Sequence, residues 1–342
     1  MKTILFRCHA GPSVGLGHVM RSLALAQALK NRGARVWIVC EGVPEALQEW
    51  IRRTAAQYSI IPPEVPAGSP ADAALTQTMI QKAGPEWVVL DGYCFENDYH
   101  RWIKERPVLA IDDRGIGFKD ADVIVNQNPG FSPADYQGYR ARQIFLGPNY
   151  ALLREDFEGH WVEKNHPLQA KNIFISTGGE DTAGLTKNVV AALRHLTGHA
   201  LHVKVLWGPM NKTKLATPMT GPHEVEYVAG DFKTVRKHML WADLAISAGG
   251  SMLWEYATCS VPVAAYICAD NQQRGVRALA VKRAVEEMGE ASQFKEDVFL
   301  QRMQQIITQR HLREELSMNL HHMILPRRVP DIVEHILQGG RT

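Results

Sequence analysis

The chain of 342 residues lacks a charge excess of either sign: 38 Lys and Arg stand against 36 Asp and Glu, a formal net charge of +2. Nucleic-acid binders usually carry a clustered basic excess. Here the longest basic clusters are pairs, such as Arg52-Arg53 and Arg327-Arg328, so nucleic acid is not an expected partner. Close cysteine pairs are also missing. Cys8, Cys40, Cys94, Cys259 and Cys268 are widely spaced, with no C-x-x-C, which argues against a zinc site or a thioredoxin-like pair. Cys8, Cys40 and Cys268 sit in apolar runs, where reduced, buried thiols are expected. H-E-x-x-H is absent, and a metal site is not expected. No run approaches the roughly 18–20 apolar residues of a membrane span. The opening MKTILFRCHAG has a short apolar run broken by Arg7, unlike a signal peptide, and the expected compartment is the cytoplasm. Disorder is excluded by a hydrophobic content of 45%.

What is present is an alternation of strand and helix, run through twice. Residues 3–8 read as a buried strand, and 16–32 as a helix with Val19, Leu23, Ala26 and Leu29 at helical spacing, stopped by Gly33. Further apolar runs lie at 35–40, 86–90, 108–111, 123–125 and 144–146, with helix candidates at 44–56, 71–82 and 95–105. A polar stretch at 154–170 reads as a linker. The pattern then restarts with a strand at 172–177 and a helix at 183–196. Strands at 202–207, 225–228, 244–247 and 261–267 follow, then a helical tail from 298. The expected class is α/β: two Rossmann-like, doubly wound domains facing across a cleft. Their expected bounds are 1–158 and 170–342, with the final helix able to pack back on the first domain. In such sheets ligands bind beyond the carboxyl ends of the strands.

Three glycine loops follow strands there. The first, Gly11-Pro-Ser-Val-Gly15-Leu-Gly17-His18, lacks the third glycine of a dinucleotide fingerprint. It reads either as a structural turn or as a loop that brings backbone N–H groups to an anion. The second and third, Ser176-Thr-Gly178-Gly179-Glu180-Asp181 and Ser247-Ala-Gly249-Gly250-Ser251, lack the Gly-Lys-Ser/Thr ending of a P-loop. Together they suit adjacent phosphates. Glu255, one helical turn beyond Ser251, is a solvated helix residue or an acceptor for ribose hydroxyls. Asp270-Asn271-Gln272 either caps a helix or meets sugar hydroxyl and N-acyl groups.

His18 stands at or just inside a helix N-terminus. It either packs under its loop or serves as a general base, since the helix dipole and Arg21, three residues on, both disfavour imidazolium. Asp91, Asp112-Asp113 and Asn126-Gln127-Asn128 end strands of the same half. Some of these must be turn formers.

Taken in order, VGLGHVMR at 14–21, LDGY at 90–93, DD at 112–113, NYALLREDF at 149–157, ISTGGED at 175–181, ISAGGSMLWE at 246–255 and NQ at 271–272 make the chain resemble a known family. It is that of the UDP-2,4-diacetamido-2,4,6-trideoxy-β-L-altropyranose hydrolases of pseudaminic acid biosynthesis. The resemblance runs from about residue 4 to about residue 291. It implies a fold similar to the GT-B glycosyltransferases, with UDP on the C-terminal domain, no metal and no cofactor. It implies His18 as the base that activates water for inverting attack at the anomeric carbon. Gly17, Arg21, Tyr93, Asp113, Asn271 and Gln272 would surround the sugar. Gly178, Gly179, Gly250 and Ser251 would face the diphosphate, Glu255 the ribose, and backbone near Phe232 the uracil. The implied partner is a small UDP-sugar, and a monomer is compatible with it. His9, Gly11, Glu180 and Cys259 depart from the family pattern. A glycosyltransferase with the same donor site, in surface polysaccharide synthesis, is the alternative.

Overall fold

The computed structural model describes residues 1–11, 15–95, 97–103, 106–178, 181, 184–208, 223–230 and 234–339. Two compact units result: Met1–Glu155 with Leu325–Thr342, and Asp156–Ile324.

The first unit contains β1 (Thr3–Cys8), α1 (Gly17–Asn31), β2 (Arg35–Cys40), α2 (Glu45–Thr54), β3 (Gln57–Ile60), α3 (Pro70–Ala83), β4 (Trp87–Asp91), α4 (Asn97–Trp102), β5 (Val108–Ile111), β6 (Val123–Asn126) and β7 (Gln143–Leu146). Every pairing is parallel, in the order β3-β2-β1-β4-β5-β6-β7. β1, β4, β5 and β6 are buried almost throughout, as strands covered on both faces must be. α3 illustrates local coding. The Ser69 hydroxyl accepts the Asp72 N–H at its start, Pro70 opens the first turn, and Gly84 closes it in the left-handed region.

The second unit contains β8 (Asn172–Ser176), α5 (Leu185–Leu193), β9 (His202–Trp207), β10 (Glu224–Ala229), α6 (Val235–Trp241), β11 (Leu244–Ala248), α7 (Met252–Thr258), β12 (Val263–Ile267), α8 (Asp270–Val281), β13 (Glu286–Glu290), α9 (Glu296–Thr308) and α10 (Arg310–Met323). Its sheet is again parallel, in the order β10-β9-β8-β11-β12-β13. The chain then returns to the first unit with α11 (Val329–Gln338), which packs against α1. His335 on α11 meets Trp87 at 6.0 Å and Phe145 at 5.8 Å between ring centroids.

The polar stretch read as a linker is tied down. Val162 N–H donates to Thr258 O at 3.1 Å, Trp161 Nε1 donates to Ser260 Oγ at 3.1 Å, and Ala170 N–H donates to Ile307 O at 3.0 Å. Residues 156–170 therefore belong to the second unit. The tail read as one helical region is divided. Gln309 is extended between α9 and α10, and the buried Arg313 donates to the Ile306 and Ile307 carbonyls at that break.

The same segment buries a titratable group. His166 shares a hydrogen bond of 3.0 Å with Ser317 through Nε2, and its Nδ1 is buried without a partner among the described residues. Burial, reinforced by Lys164 and Arg313, lowers its pKa to about 4. The unfolded chain, with His near 6.5, then binds more protons between those values, so stability is full above about pH 6.5 and declines toward pH 4. His166→Gln is expected to flatten that part of the urea-unfolding pH profile. An unchanged decline would assign the acid sensitivity elsewhere.

Candidate functional site

β1 and β4 lie side by side while their connections run to opposite sides of the sheet, which makes their carboxyl ends the switch point of the first unit. Cys8 and Asp91 are in register there. His18, the second residue of α1, points its Nδ1 at Asp91 Oδ1, 2.7 Å away. Arg21, one turn along, grips the same carboxylate at both oxygens, through Nε at 2.8 Å and a terminal nitrogen at 2.5 Å. The Ser22 hydroxyl donates to Asp91 Oδ2 at 3.0 Å. The other Arg21 terminal nitrogen donates to Asp113 Oδ2 at 3.1 Å, which also accepts the Tyr93 hydroxyl at 3.0 Å. The Tyr93 ring stands edge-on to His18, with centroids 4.8 Å apart, and the Arg114 guanidinium covers it at 4.4 Å.

Burial by itself raises the pKa of Asp91, but Arg21 and His18 outweigh it and hold the carboxyl below its ordinary value. An ionised carboxylate only accepts, so His18 Nδ1 carries the hydrogen. Arg21, 3.1 Å from that nitrogen, is then a neighbouring charge rather than a donor to it. In the neutral imidazole this tautomer leaves the lone pair on Nε2, the nitrogen available for proton abstraction. Tyr93 keeps its proton, because burial and then Asp113 raise its pKa.

Beside the helix terminus and Arg21, His18 faces a carboxylate 2.7 Å away that the sequence did not assign to it. Arg21 and Asp113, expected at the sugar, are joined to each other, and Asp91 takes two of the three Arg21 nitrogens. Asp112 serves as a turn former: it accepts Arg114 N–H and Gly115 N–H, each at 2.9 Å, and the Tyr136 hydroxyl at 2.9 Å. Asn126 bonds Tyr136, and Gln127 accepts Leu152 N–H. Gly17 opens α1 with no neighbour within 4 Å of the place a Cβ would occupy. Beside the cluster, His9 Nδ1 lies 3.4 Å from Cys94 Sγ. Burial lowers the His9 pKa and raises that of Cys94 to about 12, so the thiol stays protonated and is not an activated nucleophile.

In the second unit β8 and β11 form the corresponding switch point. Ser176 and Ser247 at their ends meet Oγ to Oγ at 3.1 Å, and Ser176 lies 2.6 Å from the Tyr256 hydroxyl. Gly178 takes φ +104°, a conformation that disfavours any other residue. At Gly249 a Cβ would collide with Val276 Cγ2, so glycine permits α8 to approach this loop. Gly250 faces the Gln272 amide, and Ser251 precedes α7 without a side-chain cap bond. Glu255 is buried on α7. Gln272 Oε1 accepts Cys268 N–H at 2.9 Å, bracing the turn into α8. Asp270 and Asn271 are the first residues of α8 rather than its cap, which is Ala269. One expected anion contact is already occupied: Asp181 accepts Leu185 N–H and Thr186 N–H at 2.9 and 2.8 Å, capping α5. Gly179, Glu180 and Phe232 lie outside the described residues.

Among the described residues no group of three or more His, Cys, Asp or Glu could hold a metal. His195 and His199 do have a helical i, i+4 spacing, but they bond separately to Glu296 and Gln304. Nor is any described helix long and apolar enough to cross a membrane. Asp91, which holds His18, Arg21 and Ser22, is the residue of this cluster that the sequence left unassigned. Its signal is the aspartate that closes the apolar run Trp87–Asp91.

Two parallel-sheet, Rossmann-like units of seven and six strands define the fold of the GT-B glycosyltransferases. MurG of Acinetobacter baumannii has this fold: it superposes with a TM-score of 0.64 at 18% identity, over 99% of this chain and 100% of that one. No family model matches the sequence. The chain is 25% identical over 196 residues to the UDP-2,4-diacetamido-2,4,6-trideoxy-β-L-altropyranose hydrolase of Campylobacter jejuni, covering 56% of this chain and 65% of that protein. It is 21% identical to the Bacillus subtilis spore coat polysaccharide biosynthesis protein SpsG over 90% of this chain and 89% of that protein. It also covers 40% of an uncharacterized protein of Methanocaldococcus jannaschii at 24% identity. The chain thus spans less than two thirds of the Campylobacter and Methanocaldococcus relatives.

Proposed function

We propose that the chain hydrolyses a UDP-linked sugar at the anomeric carbon, the sugar being of the 2,4-diacetamido-2,4,6-trideoxy class. The observation that carries this reading is the His18–Asp91 pair, with Nδ1 committed to the carboxylate at 2.7 Å and Nε2 left as the basic nitrogen. Nε2 takes a proton from water as the water oxygen bonds to the anomeric carbon. The bond from that carbon to the β-phosphate oxygen breaks, and its electron pair leaves with UDP. Attack opposite the leaving group inverts the configuration. The resulting imidazolium is stabilised by Asp91, and it returns its proton to solvent. Tyr93 supplies a protonated hydroxyl and an aromatic edge beside the base, which suits a sugar ring. UDP is assigned to the second unit, with Gly178, Gly179, Gly250 and Ser251 at the diphosphate and Glu255 at the ribose. Backbone donors stabilise the charge that develops on the leaving phosphate, and they demand no basic excess. The match to the Campylobacter hydrolase supports this reading.

A transferase is the second reading, favoured by the fold shared with MurG and by the longer match to the spore coat protein. Turnover in ¹⁸O water separates the two. Label on the sugar C1 hydroxyl with release of unlabelled UDP is the expected result. Label on phosphate would show P–O cleavage, and turnover only with an added acceptor would establish the transferase.

A further inference from the structure

We propose that Arg21 is a positioning residue that sets the charge state of the His18–Asp91 pair, by opposing the Asp91 carboxylate charge that acts on the imidazole. The inference rests on His18 as the base. Its geometry is independent of the substrate.

Arg21 sits between the two acids. It holds Asp91 at both oxygens and Asp113 at one, and all three side chains are buried. Its terminal nitrogen is also 3.1 Å from His18 Nδ1. The imidazole thus touches one carboxylate and one guanidinium, and that guanidinium holds a second carboxylate. Without the guanidinium the charge of Asp91 beside Nδ1 would no longer be opposed by the cation 3.1 Å from the same nitrogen. The simplest way to offset it is to protonate the imidazole before any substrate arrives, and an imidazolium is no base. Arg21 therefore permits Asp91 to orient His18 without locking it as a cation.

The remaining neighbours do not take over this role. Tyr93, on the loop after β4, and Ser22, on α1, are neutral donors to Asp113 and Asp91. Arg114, after β5, stacks on Tyr93. His9, after β1, has its own charge opposed by burial, His18 and Arg7, and favoured by Glu41 and Asp72. Behind it Arg7 is fully engaged by Asp72 at 2.8 Å and Glu41 at 2.5 Å. Arg21 is the cation in contact with both acids of the cluster among the described residues.

The test is the NMR titration of the His18 imidazole in the full chain, its resonance assigned by loss in His18→Gln. Arg21→Met is expected to move the His18 midpoint upward by roughly one to three pH units, the usual effect of a charge at contact distance. The acid limb of kcat/KM should move with it. Asp113→Asn is expected to move the midpoint downward, and the double variant to bring it back toward the wild-type value. Arg21→Lys, which keeps the charge but not the two-oxygen grip, should stay near wild type. An Arg21→Met midpoint that does not rise in a folded protein overturns the proposal. Should Arg21→Met fail to fold, Asp113→Asn decides: a midpoint that stays or rises overturns it. A merely structural Arg21 would lower activity without moving the titration in opposite directions in the two variants. Absence of any hydrolysis by the wild type would sink the proposed reaction while leaving the NMR result to judge Arg21.

Discussion

Replacing His18 by asparagine is expected to lower kcat/KM for UDP-sugar hydrolysis by roughly 10²–10⁴-fold, the range for loss of a general base. The asparagine amide stands at the position of Nδ1 and can still donate to Asp91, so the Asp91–Arg21 arrangement is kept. What disappears is a nitrogen that can gain a proton. Since the proposed reading puts the uridine nucleotide on the second unit, UDP affinity measured by calorimetry should stay close to the wild-type value. The acid limb of the pH–rate profile should vanish along with the rate, since the group that produced it is gone. A parallel fall in UDP affinity would make His18 a structural residue, and a rate within a few-fold of wild type would remove it from the chemistry.

Asp91→Ala should produce the largest change in stability. It leaves Arg21 buried with Asp113 alone and His18 Nδ1 without an acceptor. Removing one partner of a buried ion pair costs about 3–5 kcal/mol. The direction with pH follows from the carboxyl being held below its ordinary value. Such a group stabilises the fold above its unfolded pKa, near 3.9 for aspartate, and that contribution is lost as pH falls through the folded value. Urea unfolding should therefore show a wide gap between wild type and variant at pH 7, narrowing below about pH 4. A gap that persists undiminished in acid would mean that Asp91 acts through packing rather than charge. Activity should fall in the same variant, because the imidazole loses the group that fixes its tautomer.

Much of the site was legible because its residues sit in local patterns. The apolar runs at β1, β4, β8 and β11 marked the central strands, and the glycine loops after β1, β8 and β11 marked the ligand edge. Two of the four edge strands were not legible. β3 (QYSI) and β13 (EEMGE) are partly exposed and lack an apolar period. They are strands because a neighbour offers a parallel ladder, a long-range fact invisible to a sliding window. The breaks within the helical tail were not legible for a similar reason. Where α9 stops depends on Arg313 reaching back to the Ile306 and Ile307 carbonyls, and α11 joins the first unit through contacts with residues more than 300 positions earlier, such as Lys2 to Ile336 O at 3.0 Å.

The sequence by itself determined the fold class and the place of His18 at the start of the first helix, because both follow from periodicity and glycine placement. Its near balance of charge offers no clustered basic excess of the kind nucleic-acid binders carry. Only the tertiary structure decided what surrounds the histidine. His18 and Asp91 are separated by 73 positions and Arg21 and Asp113 by 92, and nothing local relates them. They meet because β4 pairs with β1 on one side, with Cys8 beside Asp91, and with β5 on the other, just before Asp113. Those two pairings gather two acids, one guanidinium and an imidazole into a buried cluster in a chain whose net charge is near zero.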